Sequence, residues 1–205
     1  MEDCEVRLLW IQLLFWNAES KKSISDQIAA ARASRPDHPE VLYWSALYER
    51  AWGKREEARS LLERASQAQP NDTRIWSALV NLELSEVSGL PMADRRAGPA
   101  LEQLKRHART ASELNNVAWY LSEIGKPMEA LPYAVQAVDK APGCFNCRDT
   151  MAQILFQSGK VERAIEEQRI ALNLLPEGAT ELRKTFGDRL SRYAKAAAQP
   201  SPSRP

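Results

Sequence analysis

The sequence predicts an all-α solenoid of about five helix pairs followed by a C-terminal capping helix. Two observations support this fold class. Prolines recur with a period of 34 residues, because Pro36 and Pro70 are 34 positions apart, and so are Pro142 and Pro176. Only 8 of the 205 residues are Gly, which is low for a fold built from strands and turns. A chain of this length forms one domain or one repeat array.

Small residues keep the same period. Gly permits the positive φ that ends a helix, Pro stops the second helix, and Ala lets helices approach closely. Each unit is therefore predicted to contain a helix, a tight turn, a second helix and a turn marked by proline. Such a pair buries its apolar face by stacking on its neighbours. The alanines lie five and twelve residues before the prolines and the glycines seventeen before them: Ala31, Ala65, Ala137, Ala171, Ala58, Ala130, Ala164, Gly53, Gly125 and Gly159.

This pattern resembles the tetratricopeptide repeat (TPR) family over residues 5–178. The unit at 111–144 carries the family's small and apolar positions, such as Leu114, Ala118, Leu121 and Gly125. The resemblance implies a right-handed solenoid that acts as a non-enzymatic protein-interaction scaffold or adaptor. Its units are 5–38, 39–72, 73–110, 111–144 and 145–178, after an N-terminal extension at 1–4.

Two places depart from the pattern. The unit at 73–110 begins with Asp72 as a predicted N-cap, but its turn is replaced by an inserted loop at 86–98. Its second helix is expected to begin near Pro99, because Pro suits the first helical position. In the unit at 111–144, Pro132 falls inside the second helix, where it costs about 3 kcal/mol. We expect that helix to be kinked or to start late.

The two ends of the array differ. Residues 179–197 predict an amphipathic capping helix with a polar face, and 198–205 predict a disordered tail. The first helix is apolar all round between Leu8 and Trp16, so something must cover it. A second copy of the chain, another protein or an absent upstream repeat would do so. An oligomeric or assembly subunit joined through this helix is therefore the alternative function.

The TPR resemblance implies a concave groove lined by the first helix of each pair. Apolar side chains would anchor a peptide or a partner helix, and amides would bond its backbone. Lys and Arg are missing where chaperone adaptors of the family hold carboxylates, so an Hsp70 or Hsp90 tail is not an expected ligand. The groove candidates are Leu9, Leu13, Trp16, Tyr43, Leu47, Arg50, Ser77, Asn81, Asn115, Asn116, Trp119, Glu123, Asp149, Gln153 and Phe156.

The sequence gives little support for a catalytic, redox or metal site. Cys144 and Cys147 form a CxxC motif at a predicted helix start, a weak candidate for a metal site or redox pair. Tetrahedral zinc needs four ligands, and no second cysteine pair exists, so we expect neither metal nor cofactor. Two histidines do not supply a hydrolytic triad, and no catalytic residue is predicted.

Composition restricts the partners and the location. The net charge is +1, which offers no basic excess for binding the phosphates of nucleic acid. Basic residues flanking the first helix are few, which argues against a lipid surface. Three cysteines form no disulfide framework, which is typical of a reducing compartment. With no apolar run of roughly 20 residues and no basic leader, the expected location is the cytoplasm.

Overall fold

The computed structural model describes residues 21–85 and 90–198. Over these residues the chain forms ten α-helices and no strand, which confirms the predicted all-α fold. The helices are α1 (Lys21–Ser34), α2 (Pro39–Ala51), α3 (Arg55–Ala68), α4 (Thr73–Leu84), α5 (Leu90–His107), α6 (Ala111–Glu123), α7 (Pro127–Lys140), α8 (Phe145–Gln157), α9 (Val161–Asn173) and α10 (Thr180–Ala197). The chain divides into two compact units, an N-terminal unit up to Gln103 and a C-terminal unit from Leu104.

In the N-terminal unit each described helix from α1 to α4 packs on the next one. In addition α2 contacts α4, so the first helices of neighbouring pairs meet directly. Ile24, Ile28 and Ala31 of α1 pack against Val41 and Tyr48 of α2 in one buried cluster. This is the stacking that the repeat period predicts.

The C-terminal unit repeats this arrangement. Neighbouring helices pack along α6, α7, α8, α9 and α10, and α6 also contacts α8. The alanines of the repeat period are fully buried, since Ala130, Ala137, Ala164 and Ala171 each have 0% exposure. A larger side chain at these positions would push the helices apart, which explains why the sequence keeps them small.

Each glycine of the repeat period ends the first helix of a pair. Gly53, Gly125 and Gly159 have φ values of 79°, 79° and 74°. After α8, the Lys160 N–H donates to the Leu155 carbonyl at 2.9 Å, and the Gly159 N–H donates to that of Phe156 at 3.0 Å. These two bonds form a Schellman motif, which satisfies carbonyls that the helix leaves unpaired.

The predicted loop at 86–98 is wrong over most of its length. Helix α5 begins at Leu90, so residues 90–98 are helical, and only 86–89 lie outside the described residues. Pro91 occupies the second position of α5, where a helix does not use the backbone N–H. It therefore takes the place that the sequence pattern assigned to Pro99, which lies inside the helix.

The late start predicted for the helix around Pro132 is also wrong. Helix α7 begins at Pro127 and runs unbroken to Lys140 with Pro132 inside it. Pro132 deprives the Met128 carbonyl of its usual partner. Both residues are exposed, so water can hydrate this carbonyl.

Several sequence predictions lie outside the described residues. They are the extension at 1–4, the apolar first helix with Leu9, Leu13 and Trp16, and residues 199–205 of the predicted tail. Among the ten described helices, none combines the length and apolarity that a bilayer-spanning helix needs.

Candidate functional site

In the N-terminal unit the candidate residues that the structure describes lie on α2 and α4. Tyr43 and Leu47 are partly buried on α2, and Arg50 is exposed one turn further on. Ser77 and Asn81 lie partly buried on α4. This pair of helices therefore presents a mixed surface of one aromatic, one aliphatic and three polar side chains.

An arginine from α4 lies over the Tyr43 ring. The guanidinium carbon of Arg74 is 5.2 Å from the ring centroid, within cation–π range. Arg74 also pairs with Asp72 at 2.6 Å and with Glu40 of α2. Burial raises the pKa of Tyr43 because it disfavours the phenolate. Since two carboxylates already bind Arg74, this cation is committed to joining α2 and α4.

In the C-terminal unit a polar cluster joins α6 and α8. The Gln153 amide nitrogen of α8 donates to the Glu123 carboxylate of α6 at 3.1 Å. The buried Ser122 hydroxyl donates to the side-chain amide oxygen of Gln157 at 2.8 Å. Trp119 lies one turn before Glu123 on α6 and is 37% exposed. These helices thus place an exposed indole beside a row of polar groups.

The end of α8 meets the capping helix α10 through aromatic side chains. The rings of Phe156 and Tyr193 stack with centroids 4.4 Å apart. The Arg192 guanidinium carbon lies 5.3 Å from each of the two centroids. Burial raises the pKa of Tyr193 because it disfavours the phenolate, and the neighbouring Arg192 only partly opposes this effect.

A cavity of about 430 Å³ opens between α8 and α10. It is lined by Phe156, Asp188, Ser191, Arg192, Lys195 and Ala196. Two cations and one carboxylate line it, so its walls carry a net positive charge. We call the surface of α6, α8 and α10 formed by Asn116, Trp119, Glu123, Gln153, Phe156 and this cavity the C-terminal face.

Two candidates of the same unit have side-chain oxygens that are buried away from solvent. Asp149 is buried, forms an ion pair with Arg189 of α10 and accepts from the Gln168 amide at 2.9 Å. Asn115 is partly buried, and its side-chain oxygen is inaccessible to solvent. The structure therefore places Asp149 where it holds α8, α9 and α10 together.

Comparison with known proteins identifies the family. A family model described as "Tetratricopeptide repeat" matches residues 6–177. The chain belongs to the tetratricopeptide repeat family. This confirms the resemblance and the solenoid of helix pairs that it implies. None of the curated protein sequences matches this TPR chain.

Solved TPR structures share the fold. TTC0263, a thermophilic TPR protein of Thermus thermophilus, has 18% identity and a TM-score of 0.71, covering 96% of this chain and 100% of its own. Yeast Tom70 has 14% identity and a TM-score of 0.71, and the match covers 95% of this chain and 40% of the Tom70 chain. YrrB, a TPR protein with an unusual peptide-binding site, has 13% identity and a TM-score of 0.57, with 83% and 92% covered. Such low identities establish the fold alone.

Sequence reasoning missed the contribution of the capping helix to this face. The family groove is assigned to the first helices of the pairs, and the sequence pattern assigns residues 179–197 only to a capping helix. The sequence does contain a pattern that indicates a charged face on this helix, because Asp188, Arg192 and Lys195 follow one another at spacings of four and three residues. That spacing places them on one face of α10.

The structure corrects the prediction for the two cysteines. Cys144 and Cys147 are joined by a disulfide, so neither sulfur is available as a metal ligand in this form. The expectation of a reducing compartment, which rested on the absence of a disulfide framework, therefore has no support from this motif. No group of three or more His, Cys, Asp or Glu residues in 21–85 and 90–198 is arranged to hold a metal ion.

Proposed function

We propose that this TPR chain is a scaffold that binds a peptide segment of a partner protein along the C-terminal face. TPR proteins are generally non-enzymatic interaction scaffolds, and the fold and family of this chain support that role. The observation that carries the proposal is the partly exposed Trp119 beside the Gln153–Glu123 hydrogen bond on adjoining first helices.

The anchoring side chain in this proposal is Trp119. Tryptophan combines a large apolar area with an indole N–H, and it is enriched among residues that dominate binding energy. The hydrogen bond that joins Gln153 to Glu123 fixes the polar side chains next to it. A surface fixed in this way loses less conformational entropy when a ligand binds.

Hydrogen bonding to the peptide backbone would come from amides. Asn116 lies partly buried one turn before Trp119, and Gln153 donates through its nitrogen to Glu123. An amide side chain also carries a carbonyl oxygen that accepts from a peptide N–H. The combination of an aromatic anchor and amides suits a segment whose own backbone groups need partners.

Charge favours an acidic residue at the α10 end of the peptide. Arg192 and Lys195 line the α8–α10 cavity together with only one carboxylate, that of Asp188. These cations lie on the capping helix, apart from the positions where chaperone adaptors of the family hold a carboxylate. A peptide that carries an acidic side chain there would bind more tightly at low salt.

The test is peptide selection followed by calorimetry. Peptides selected from a random phage library on the full chain are titrated into the wild type, Trp119→Ala and Val135→Ala. We expect Trp119→Ala to weaken binding about tenfold, or about 1.4 kcal/mol, because it removes the anchor. Val135 on α7 is the matched control, since it is also 37% exposed, and its variant should bind like the wild type.

Two results would contradict the proposal. One is selected peptides that bind Trp119→Ala as tightly as the wild type. The other is equal weakening by Val135→Ala. Circular dichroism of each variant separates lost binding from lost folding, since every variant that binds weakly should keep the wild-type helical spectrum.

A further inference from the structure

We propose that Cys144 and Cys147 form a reversible thiol–disulfide exchange site that reacts with thiols and dithiols through Cys144. The two sulfurs are bonded across a separation of three residues at the start of α8. Nothing in the C-terminal face uses this disulfide, so the site is independent of peptide binding.

The two sulfurs differ in access. Cys147 is 1% exposed in the first turn of α8, whereas Cys144 is partly exposed beside the exposed Pro142 and Gly143. Exchange requires a thiolate to reach a sulfur of the disulfide, and its rate depends on which sulfur is accessible. An incoming thiolate therefore reaches Cys144, and Cys147 is the leaving sulfur.

The helix start stabilises the product of exchange at Cys144. Cys144 is the N-cap of α8, and its sulfur accepts the Cys147 N–H at 3.2 Å. The N–H groups of a first turn and the helix dipole favour a negatively charged sulfur at this position. The neighbouring Arg148 is paired with Glu167 at 2.6 Å, so backbone donors rather than an uncompensated cation supply this stabilisation.

The reaction balances in two steps. A thiolate attacks the Cys144 sulfur, a bond to it forms, and the Cys144–Cys147 bond breaks with its electron pair leaving on Cys147. The Cys147 thiolate then takes a proton from water. A second thiol, or the other thiol of a dithiol, attacks the attached sulfur as a thiolate and releases the Cys144 thiolate, which takes a proton from water. In total the protein disulfide is reduced to two thiols, while two thiols outside the protein are oxidised to a disulfide.

The turn does not need the disulfide to keep its backbone. The Cys144 N–H donates to the Ala141 carbonyl at 3.0 Å, and the Arg148 N–H donates to the Cys144 carbonyl at 3.1 Å. Neither bond involves sulfur. A reduced Cys147 would stay buried, where a thiol packs as a small apolar group. We therefore expect both redox states to share one fold.

The first experiment uses the full chain with Cys4→Ser, which removes the third cysteine. Dithiothreitol without denaturant should convert the disulfide to two thiols that an alkylating reagent labels, with no loss of helical circular dichroism. Oxidised glutathione should then restore the disulfide. A disulfide that resists dithiothreitol until denaturant is added, or cysteines that never pair under oxidised glutathione, would overturn the proposal.

The second experiment identifies the reactive sulfur. In the same Cys4→Ser chain, Cys147→Ser should acquire one glutathione per molecule from oxidised glutathione, and Cys144→Ser should lose this reaction. Mass spectrometry of the intact chain measures the adduct. Equal adducts in both variants, or an adduct on Cys147 alone, would show that Cys144 is not the reactive sulfur. If either variant fails to fold, acid quenching of the Cys4→Ser chain during reduction locates the mixed disulfide instead.

Discussion

At the residue scale, Gly159 shows how a residue without a side chain sets the end of the first helix in a repeat. Its φ of 74° closes the Schellman motif after α8, and nothing lies within 4 Å of the place where a Cβ would be. We expect Gly159→Ala to lower the free energy of unfolding by about 1 kcal/mol, because an L side chain strains this backbone without any clash. Urea denaturation followed by circular dichroism measures the change.

The matched control is Gly187→Ala inside α10. A Cβ there also meets nothing within 4 Å, but the backbone is helical. This variant should stabilise the chain by about 0.5–1 kcal/mol, because Gly is a poor residue inside a helix. If both variants lower stability equally, the positive φ of Gly159 does not explain its cost.

The candidate site was only partly predictable from single residues. Repeat register correctly indicates that Trp119, Glu123 and Gln153 lie on adjoining first helices, because helical spacing fixes which positions share a face. It does not show that Asp149 accepts a hydrogen bond from Arg189, a residue 40 positions away in the sequence. The disulfide between Cys144 and Cys147 likewise depends on how closely the two residues approach across one helical turn. The number of available zinc ligands, on which the sequence argument rested, carries no information about that distance.

At the scale of elements, the 34-residue period predicts most helix ends. Gly and Pro act locally, so the turns after α2, α6 and α8 follow directly from sequence. The prediction fails at α5, where Pro91 and Pro99 both fit a first turn and the repeat pattern is broken. An irregular unit offers no neighbouring register to choose between two prolines, so the boundary was misplaced.

The capping helix α10 is attached to the array through its two buried aromatic residues, Phe186 and Tyr193. Phe186 is 3% exposed and packs near Phe145, with ring centroids 6.5 Å apart, while Leu182 on the same helix is 41% exposed. We expect Phe186→Ala to cost about 3 kcal/mol through lost burial and a cavity. Thermal unfolding followed by circular dichroism measures the loss of stability.

Leu182→Ala provides the control for that substitution. It removes a large apolar side chain from the same helix, yet its exposure predicts a change within about 0.5 kcal/mol. Equal effects of the two substitutions would mean that Phe186 does not fix α10 to the array.

At the scale of the whole molecule, stability in a repeat array comes from contacts between neighbouring units. Within each compact unit, the first helices of successive pairs pack on one another, as the contacts of α2 with α4 and of α6 with α8 show. A terminal unit has a neighbour on one side only. The capping helix α10 covers the end of the last pair, and its exposed side is largely polar. No corresponding polar stripe occurs in the sequence from Leu8 to Trp16.

Substitutions in the first helix predicted from the sequence therefore test the alternative function, in which the chain is an oligomeric subunit. Each large apolar side chain that becomes buried contributes roughly 1.5–3 kcal/mol, so several on one helix favour association. We expect the wild type to sediment as a dimer or larger species, and the double variant Leu9→Lys, Leu13→Lys as a 23.1 kDa monomer. Ile170→Lys with Leu174→Lys is the control for two added charges, since both residues are exposed at the end of α9, and it should sediment like the wild type. If the wild type is already a monomer, self-association through this helix is wrong.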